Sequence, residues 1–170
     1  MGADFVGAAS SREFDDLMKT PKRTKYLRKG RVSVRGQYYL LTTSTHNRRN
    51  IFCSPETAQV VLNCLQWLNE QNVIDLEAAV VMPDHLHFVA ELKSGTLSQL
   101  MHSLKSYSAK KINTLLNNSG RIWQAQYYDH AIRKNEALID VIKYCLNNPV
   151  RAELVKDFHE YPHWFCRYDV

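Results

Sequence analysis

Apolar residues recur along this chain in two periods, and the places where the period changes mark its elements. Gly36 to Thr45, G-Q-Y-Y-L-L-T-T-S-T, concentrates aromatic and β-branched residues and predicts the first core strand, ended by the polar H-N-R-R-N of residues 46 to 50. From Ser54 the period becomes helical. Ser54 is the expected N-cap, Pro55 fills the first helical position, where a missing N–H costs nothing, and Val60, Val61, Cys64, Leu65 and Leu68 form one apolar face. V-I-D-L-E-A-A-V-V-M, from Val73, predicts the next strand or pair of strands, and residues 85 to 90 continue as strand beyond Pro83. The bend at Met82, Pro83 and Asp84 suggests a hairpin-like or edge position, because proline cannot donate to a ladder.

A second amphipathic helix follows from Thr96, with Leu97, Leu100, Met101, Leu104, Tyr107 and Ile112 as core positions. Its other side carries His102, Lys105, Lys110 and Lys111, facing solvent or phosphate. N-N-S-G, residues 117 to 120, closes it, and residues 121 to 133 cross back as an aromatic-rich loop and short strand. A third helix is expected from about Asn135 through Leu138, Val141, Ile142 and Cys145 until Pro149 ends it. The order strand, helix, strand, strand, helix, strand, helix predicts an α+β fold: a ferredoxin-like or RRM-like plait, with a central antiparallel sheet and helices packed mainly on one face. Residues 1 to 20 lack a firm period and read as a leader, residues 21 to 170 as a single domain, and Y-P-H-W-F, residues 161 to 165, as a segment that packs back on it.

Charge adds a partner to this picture. The formal net charge is +5 and the sequence pI about 9.0, and the basic residues from Lys19 to Arg35 have no acid among them. Such a run is either a solvated arm or one that follows a phosphate backbone. The four cysteines form no close pair, and no apolar run is long enough to span a bilayer; together these suggest reduced thiols in a cytoplasmic protein with no membrane partner.

The candidate chemistry sits in M-P-D-H-L-H-F-V, residues 82 to 89. Strand alternation turns His85 and His87 to one face and Leu86 and Phe88 to the other. The pair alone can be a packed core feature or two ligands of one ion, and less readily an acid and base. HExxH and paired-cysteine zinc patterns are absent. Two imidazoles with one protein oxygen, and open positions for water and phosphate, would suit Mg²⁺ or Mn²⁺. Downstream, Tyr144 and Asn148 are four apart, which places them on one side of a helix. A tyrosine there could attack a phosphodiester, and an asparagine carbonyl could complete a metal site; equally, Tyr144 could be a packed ring and Asn148 a helix terminator.

H-L-H at residues 85 to 87 resembles the histidine-hydrophobe-histidine motif of the single-tyrosine HUH transposases of the insertion-sequence type. W-Q-A-Q-Y-Y-D-H-A-I-R (123 to 133), followed by Y-C-L-N-N-P-V (144 to 150), resembles their REP-associated tyrosine transposase branch, the likeness running from about residue 25 to residue 157. The resemblance implies a metal-dependent endonuclease and strand transferase of single-stranded DNA, cutting near a hairpin or repeat and leaving a 5′-phosphotyrosine link and a free 3′-hydroxyl. His85 and His87 match the family's metal ligands, Tyr144 its nucleophile, and Asn148 the third ligand position, where related enzymes can use glutamine. Arg23, Lys25, Arg28, Lys29, Arg31, Lys105 and Arg133 are then candidate phosphate contacts. Tyr127 and Tyr128 could stack unpaired bases, and His130 could bond a phosphate or orient its loop. Related transposases can dimerise with the tyrosine supplied across subunits, whereas REP-associated members can be monomeric. The rival from another class is a non-catalytic protein that binds structured repeat DNA.

Overall fold

A computed structural model describes residues 32–133 and 136–170 of the chain. The expected leader and the arm residues Arg23, Lys25, Arg28, Lys29 and Arg31 lie outside the described residues. The elements run β1 (Tyr38–Ser44), α1 (Pro55–Glu70), β2 (Ile74–Met82), β3 (His85–Leu92), α2 (Leu97–Leu115), β4 (Tyr128–Ala131), α3 (Leu138–Leu146), α4 (Asn148–Arg151) and β5 (Trp164–Cys166). The strands form one sheet in the order β4-β1-β3-β2-β5, and every neighbouring pair is antiparallel. This is the expected α+β plait. No helix among the described residues is long and apolar enough to cross a membrane.

β2 and β3 form a hairpin whose turn is Pro83 and Asp84, so the proline spends its missing N–H outside the ladder. Of the two positions the sequence allowed, hairpin holds and edge does not: β3 pairs with β1 on one side and β2 on the other. Backbone amides of Thr45 and Phe52 donate to the carbonyls of Asp84 and Pro83, at 2.8 and 3.0 Å, and tie the turn to the end of β1.

Alternation divides the interior into two layers. Leu41, Ala79, Val81, Leu86 and Phe88 face α1 and α2, which supply Leu65, Leu68, Leu100, Leu104 and Ile112. On the other side of the sheet Leu40, Val80, Met82 and Val89 meet Val141, Ile142, Tyr144 and Cys145 of α3. The two long helices thus share one face, and the short helix that carries Tyr144 lies on the face to which the histidines point.

Local sequence explains the helix ends only in part. Thr96 and Gln99 form a reciprocal capping box at the start of α2. Ser54 stands at the N-cap of α1 as expected, but its hydroxyl donates to Glu56 and caps no backbone amide. Tyr107, expected in the core, is 49% exposed and stacks on Trp67 with ring centroids 6.3 Å apart. The inward position belongs to Ser108, on the stripe of Leu104 and Ile112, and the buried Trp123 indole donates to its hydroxyl at 2.9 Å. At the C-terminus, Y-P-H-W-F does more than pack back. Trp164–Cys166 adds the fifth strand beside β2, and the buried Tyr161 hydroxyl donates to the Val81 carbonyl at 2.8 Å.

Leu86 is fully buried between the histidines on the layer beneath α1 and α2. Leu86→Ala should lower unfolding free energy in urea by about 2–5 kcal/mol, whereas Tyr107→Ser, on the surface, should cost less than about 1 kcal/mol.

Candidate active site

His85 and His87 project from β3 with ring centroids 4.7 Å apart and planes at 86°. Each ring is held at Nδ1. The Asp84 carboxylate meets His85 Nδ1 at 2.5 Å, and Thr42 Oγ1 on β1 meets His87 Nδ1 at 2.7 Å, across the register pair Thr42 and His87. A carboxylate only accepts, so His85 carries its hydrogen on Nδ1 and its lone pair on Nε2. The Thr42 contact allows the same tautomer at His87, and then both rings present Nε2 lone pairs on one face.

Asp84 is itself gripped. Arg48 Nε lies 3.1 Å from its other oxygen, and Arg48 also donates to Ser44 Oγ at 2.7 Å. Asn47 and Arg48 both have left-handed backbone, φ 57° and 53°, which folds H-N-R-R-N back toward the hairpin turn. Burial lowers the His85 pKa against an opposing pull from Asp84, with Arg48 lowering it further. Burial holds His87 well below the usual histidine value, helped by His85 and Arg48. Two neutral imidazoles therefore stand together at neutral pH, the state in which histidine binds metals. Among the described residues no three His, Cys, Asp or Glu side chains converge on a point that could hold an ion, so a metal on this pair needs a donor of another kind.

Tyr144 and Asn148 lie on the same side of the sheet, at the junction of α3 and α4. Pro149 does not simply end the helix; it sits in the first turn of α4. It brings no N–H to the Cys145 carbonyl, four residues back. Asn148 makes good this loss: its Nδ2 donates to the carbonyls of Cys145 at 2.9 Å and Tyr144 at 3.1 Å. Both bonds use the amide nitrogen, and the carbonyl oxygen is the atom of Asn148 with ligand chemistry. Tyr144 is 9% exposed, and burial, with smaller contributions from Cys145 and Tyr128, pushes its phenol up to about 12. The Arg151 guanidinium lies over the Tyr144 ring, Cζ 4.5 Å from the centroid.

The aromatic segment divides between the layers. Tyr127 packs against the α1 and α2 side with the Lys105 ammonium 5.7 Å from its ring centroid. Lys105 Nζ also donates to the carbonyls of Gln124, Ala125 and Gln126, at 3.0, 3.4 and 2.9 Å. These bonds hold the lysine against its own loop. Tyr128 pairs with Thr42 in register, one strand from His87, and so faces the histidine side. His130 lies within 3.2 Å of both Glu136 carboxylate oxygens, and Glu136 also accepts from the Arg133 amide at 2.7 Å. His130 thus joins β4 to the segment around Glu136, and the Arg133 side chain is exposed.

Sequence reading missed four residues of this site. Asp84 and Arg48 were visible as neighbours of the motif and as a basic residue in a polar loop. Arg151 was visible as the next step of the 144, 148 spacing. Thr42 carried no signal, because its contact depends on strand register.

The structure is a plait with two histidines on its central strand and a tyrosine helix across the same face. The chain belongs to the IS200-like transposases, whose family model, "Transposase IS200 like", matches residues 33–148. Its likeness within that class is to the REP-associated tyrosine transposases. The Escherichia coli K12 protein of that name is 25% identical over 132 residues, 78% of each chain. The fold is shared with a solved REP-associated tyrosine transposase bound to a REP hairpin, with TM-score 0.65, 24% identity and 79% of each chain covered. A protein of Haemophilus influenzae is 23% identical, covering 68% of this chain and 82% of its own length.

Replacing Lys105 by Met removes a charged donor worth about 1.5–3 kcal/mol from the 124–126 carbonyls. Amide exchange at residues 124 to 128 should quicken by about tenfold or more, while the exchange of β3 stays within about twofold of the parent chain.

Proposed function

We propose that this chain is a metal-dependent single-stranded DNA endonuclease and strand transferase that cuts near a hairpin-forming repeat, with Tyr144 as its nucleophile. The observation that carries the reading is the placement of Tyr144 and Asn148 at one helix junction, on the sheet face to which the His85 and His87 pair points. The E. coli relative's name and the hairpin in the solved relative support the substrate class.

The donor set fits a divalent cation such as Mg²⁺ or Mn²⁺. His85 and His87 would hold it through Nε2 and Asn148 through its side-chain oxygen, leaving positions for phosphate and water. Such an ion would supply positive charge to offset that on the scissile phosphate and to polarise the leaving oxygen. The chain's own residues do the rest. Tyr144 Oη forms a bond to phosphorus as the bond from phosphorus to the 3′-oxygen breaks. The phenol proton passes to solvent, and the departing 3′-oxygen takes up a proton from solvent to become a hydroxyl. The DNA is then held as a 5′-phosphotyrosine ester, which retains the energy to be reversed onto another 3′-hydroxyl. Thr42 and Asp84 keep the imidazoles turned, and Asn148, by anchoring the junction, sets the distance from nucleophile to ligands.

Incubating the chain with labelled hairpin-bearing single strands and Mn²⁺ should give a protein-DNA adduct that survives denaturation. Tyr144→Phe should fold, bind the hairpin as the parent does, and form no adduct; an undiminished adduct rejects the assignment. Chelation with EDTA should abolish adduct formation, and its restoration by Mn²⁺ but not by monovalent salt separates metal use from general electrostatics. Thr42→Val, which takes away the partner of His87 Nδ1, should weaken Mn²⁺ affinity about 10–100-fold, read by calorimetric titration.

A further inference from the structure

Tyr144, Asn148 and Arg151 are spaced i, i+4 and i+7, the spacing that keeps three residues on one side of a helix. The α3–α4 junction preserves that alignment despite Pro149, because Asn148 bonds the Cys145 carbonyl that the proline leaves behind and the Tyr144 carbonyl beside it. The result is direct contact between the last member of the stripe and the first: the Arg151 guanidinium covers the Tyr144 ring at 4.5 Å. Held over that ring, the guanidinium lies close to the tyrosine oxygen and so to any phosphorus that oxygen attacks.

We propose that Arg151 is the anion clamp of the reaction, pairing with the non-bridging oxygens of the scissile phosphate while it holds the Tyr144 ring in line for attack. The proposal rests on the tyrosine-nucleophile reading above and adds to it the group that recognises the phosphate charge from the tyrosine's side. A guanidinium suits both tasks. Its fork matches two phosphate oxygens, and its weakly hydrated flat face stacks on an aromatic ring, which an ammonium does less well. A divalent cation held by the histidine and asparagine donors would supply positive charge as well, which phosphoryl transfer gains from as charge spreads over the equatorial oxygens. The step itself is unchanged: the bond from Tyr144 Oη to phosphorus forms, the bond to the 3′-oxygen breaks, and Arg151 neither gains nor loses a proton.

A structural role alone, packing over the ring, makes a different prediction, and one substitution in the DNA separates the two. Single-turnover adduct formation with Mn²⁺ would be measured on a hairpin-bearing strand carrying either the ordinary phosphodiester or a neutral methylphosphonate at the cut mapped for the parent chain. On the phosphodiester, Arg151→Gln should be slower than the parent by about 10²–10³-fold at saturating DNA, with hairpin affinity within about threefold, and Arg151→Lys should recover only part of the loss. On the methylphosphonate, which carries no negative charge for the arginine to pair with, the gap between Arg151→Gln and the parent should shrink by at least about tenfold. If Arg151→Gln reacts like the parent on the phosphodiester, or if the neutral linkage fails to narrow the gap for any reason, the anion-clamp assignment is overturned. Tyr144→Phe, run in parallel, keeps the two readings apart: an adduct that persists in that variant sinks the nucleophile, whereas its loss beside an unaffected Arg151→Gln sinks only the clamp.

Discussion

The period of two along β3 is the constraint on which the molecule turns. Because β3 is paired on both edges, it cannot slip by one residue without carrying Leu86 and Phe88 out of the layer beneath α1 and α2 and putting His85 and His87 into it. The apolar side of the strand therefore fixes where its polar side points. Burying Leu86 and Phe88, each fully inaccessible, supplies the hydrophobic free energy that holds two desolvated imidazoles in place on the other face. Those imidazoles stay neutral because burial disfavours their charged form, and each hands its Nδ1 to a fixed partner so as not to leave a buried polar atom unmet.

The second constraint lies at the α3–α4 junction. A proline in a helical path normally strands the carbonyl four residues back, and the usual outcome is a kink in an unspecified direction. Here the asparagine just before the proline closes over the Tyr144 and Cys145 carbonyls, and Arg151, one turn on, lies over the Tyr144 ring. The same residue that could offer an oxygen to a metal is thus the one that keeps the tyrosine in register with it. Backbone satisfaction and site geometry are carried by one side chain, which explains why an asparagine with two functional ends suits the position.

The aromatic segment shows how little adjacency in sequence says about placement. Tyr127 and Tyr128 look like a pair, yet strand geometry sends them to opposite layers: Tyr127 to the helix side under the Lys105 ammonium, Tyr128 to the histidine side beside Thr42. Lys105 likewise reads as one of a row of surface cations on α2, but its position above three converging carbonyls makes it an internal support for the loop. Long flexible side chains take whichever polar groups the fold brings to them, and the sequence does not say which.

What the chain determined locally is what short periods can encode. The α+β plait, the hairpin at Pro83, the helix starts at Ser54 and Thr96, the shared face of His85 and His87, and the helical spacing of Tyr144 and Asn148 all follow from repeat lengths of two and 3.6 residues and from the chemistry of proline and cap residues. What tertiary structure decided is everything that joins residues far apart. It set the order of strands that puts β3 at the centre, the pairing that gives His87 its Thr42, the loop that brings Arg48 to Asp84, and the exchange of Tyr107 for Ser108 at the core. The division has one physical cause: alternation and helical pitch are properties of the backbone within a few residues, whereas register and loop direction depend on which apolar faces can be buried together, a choice made by the whole chain at once.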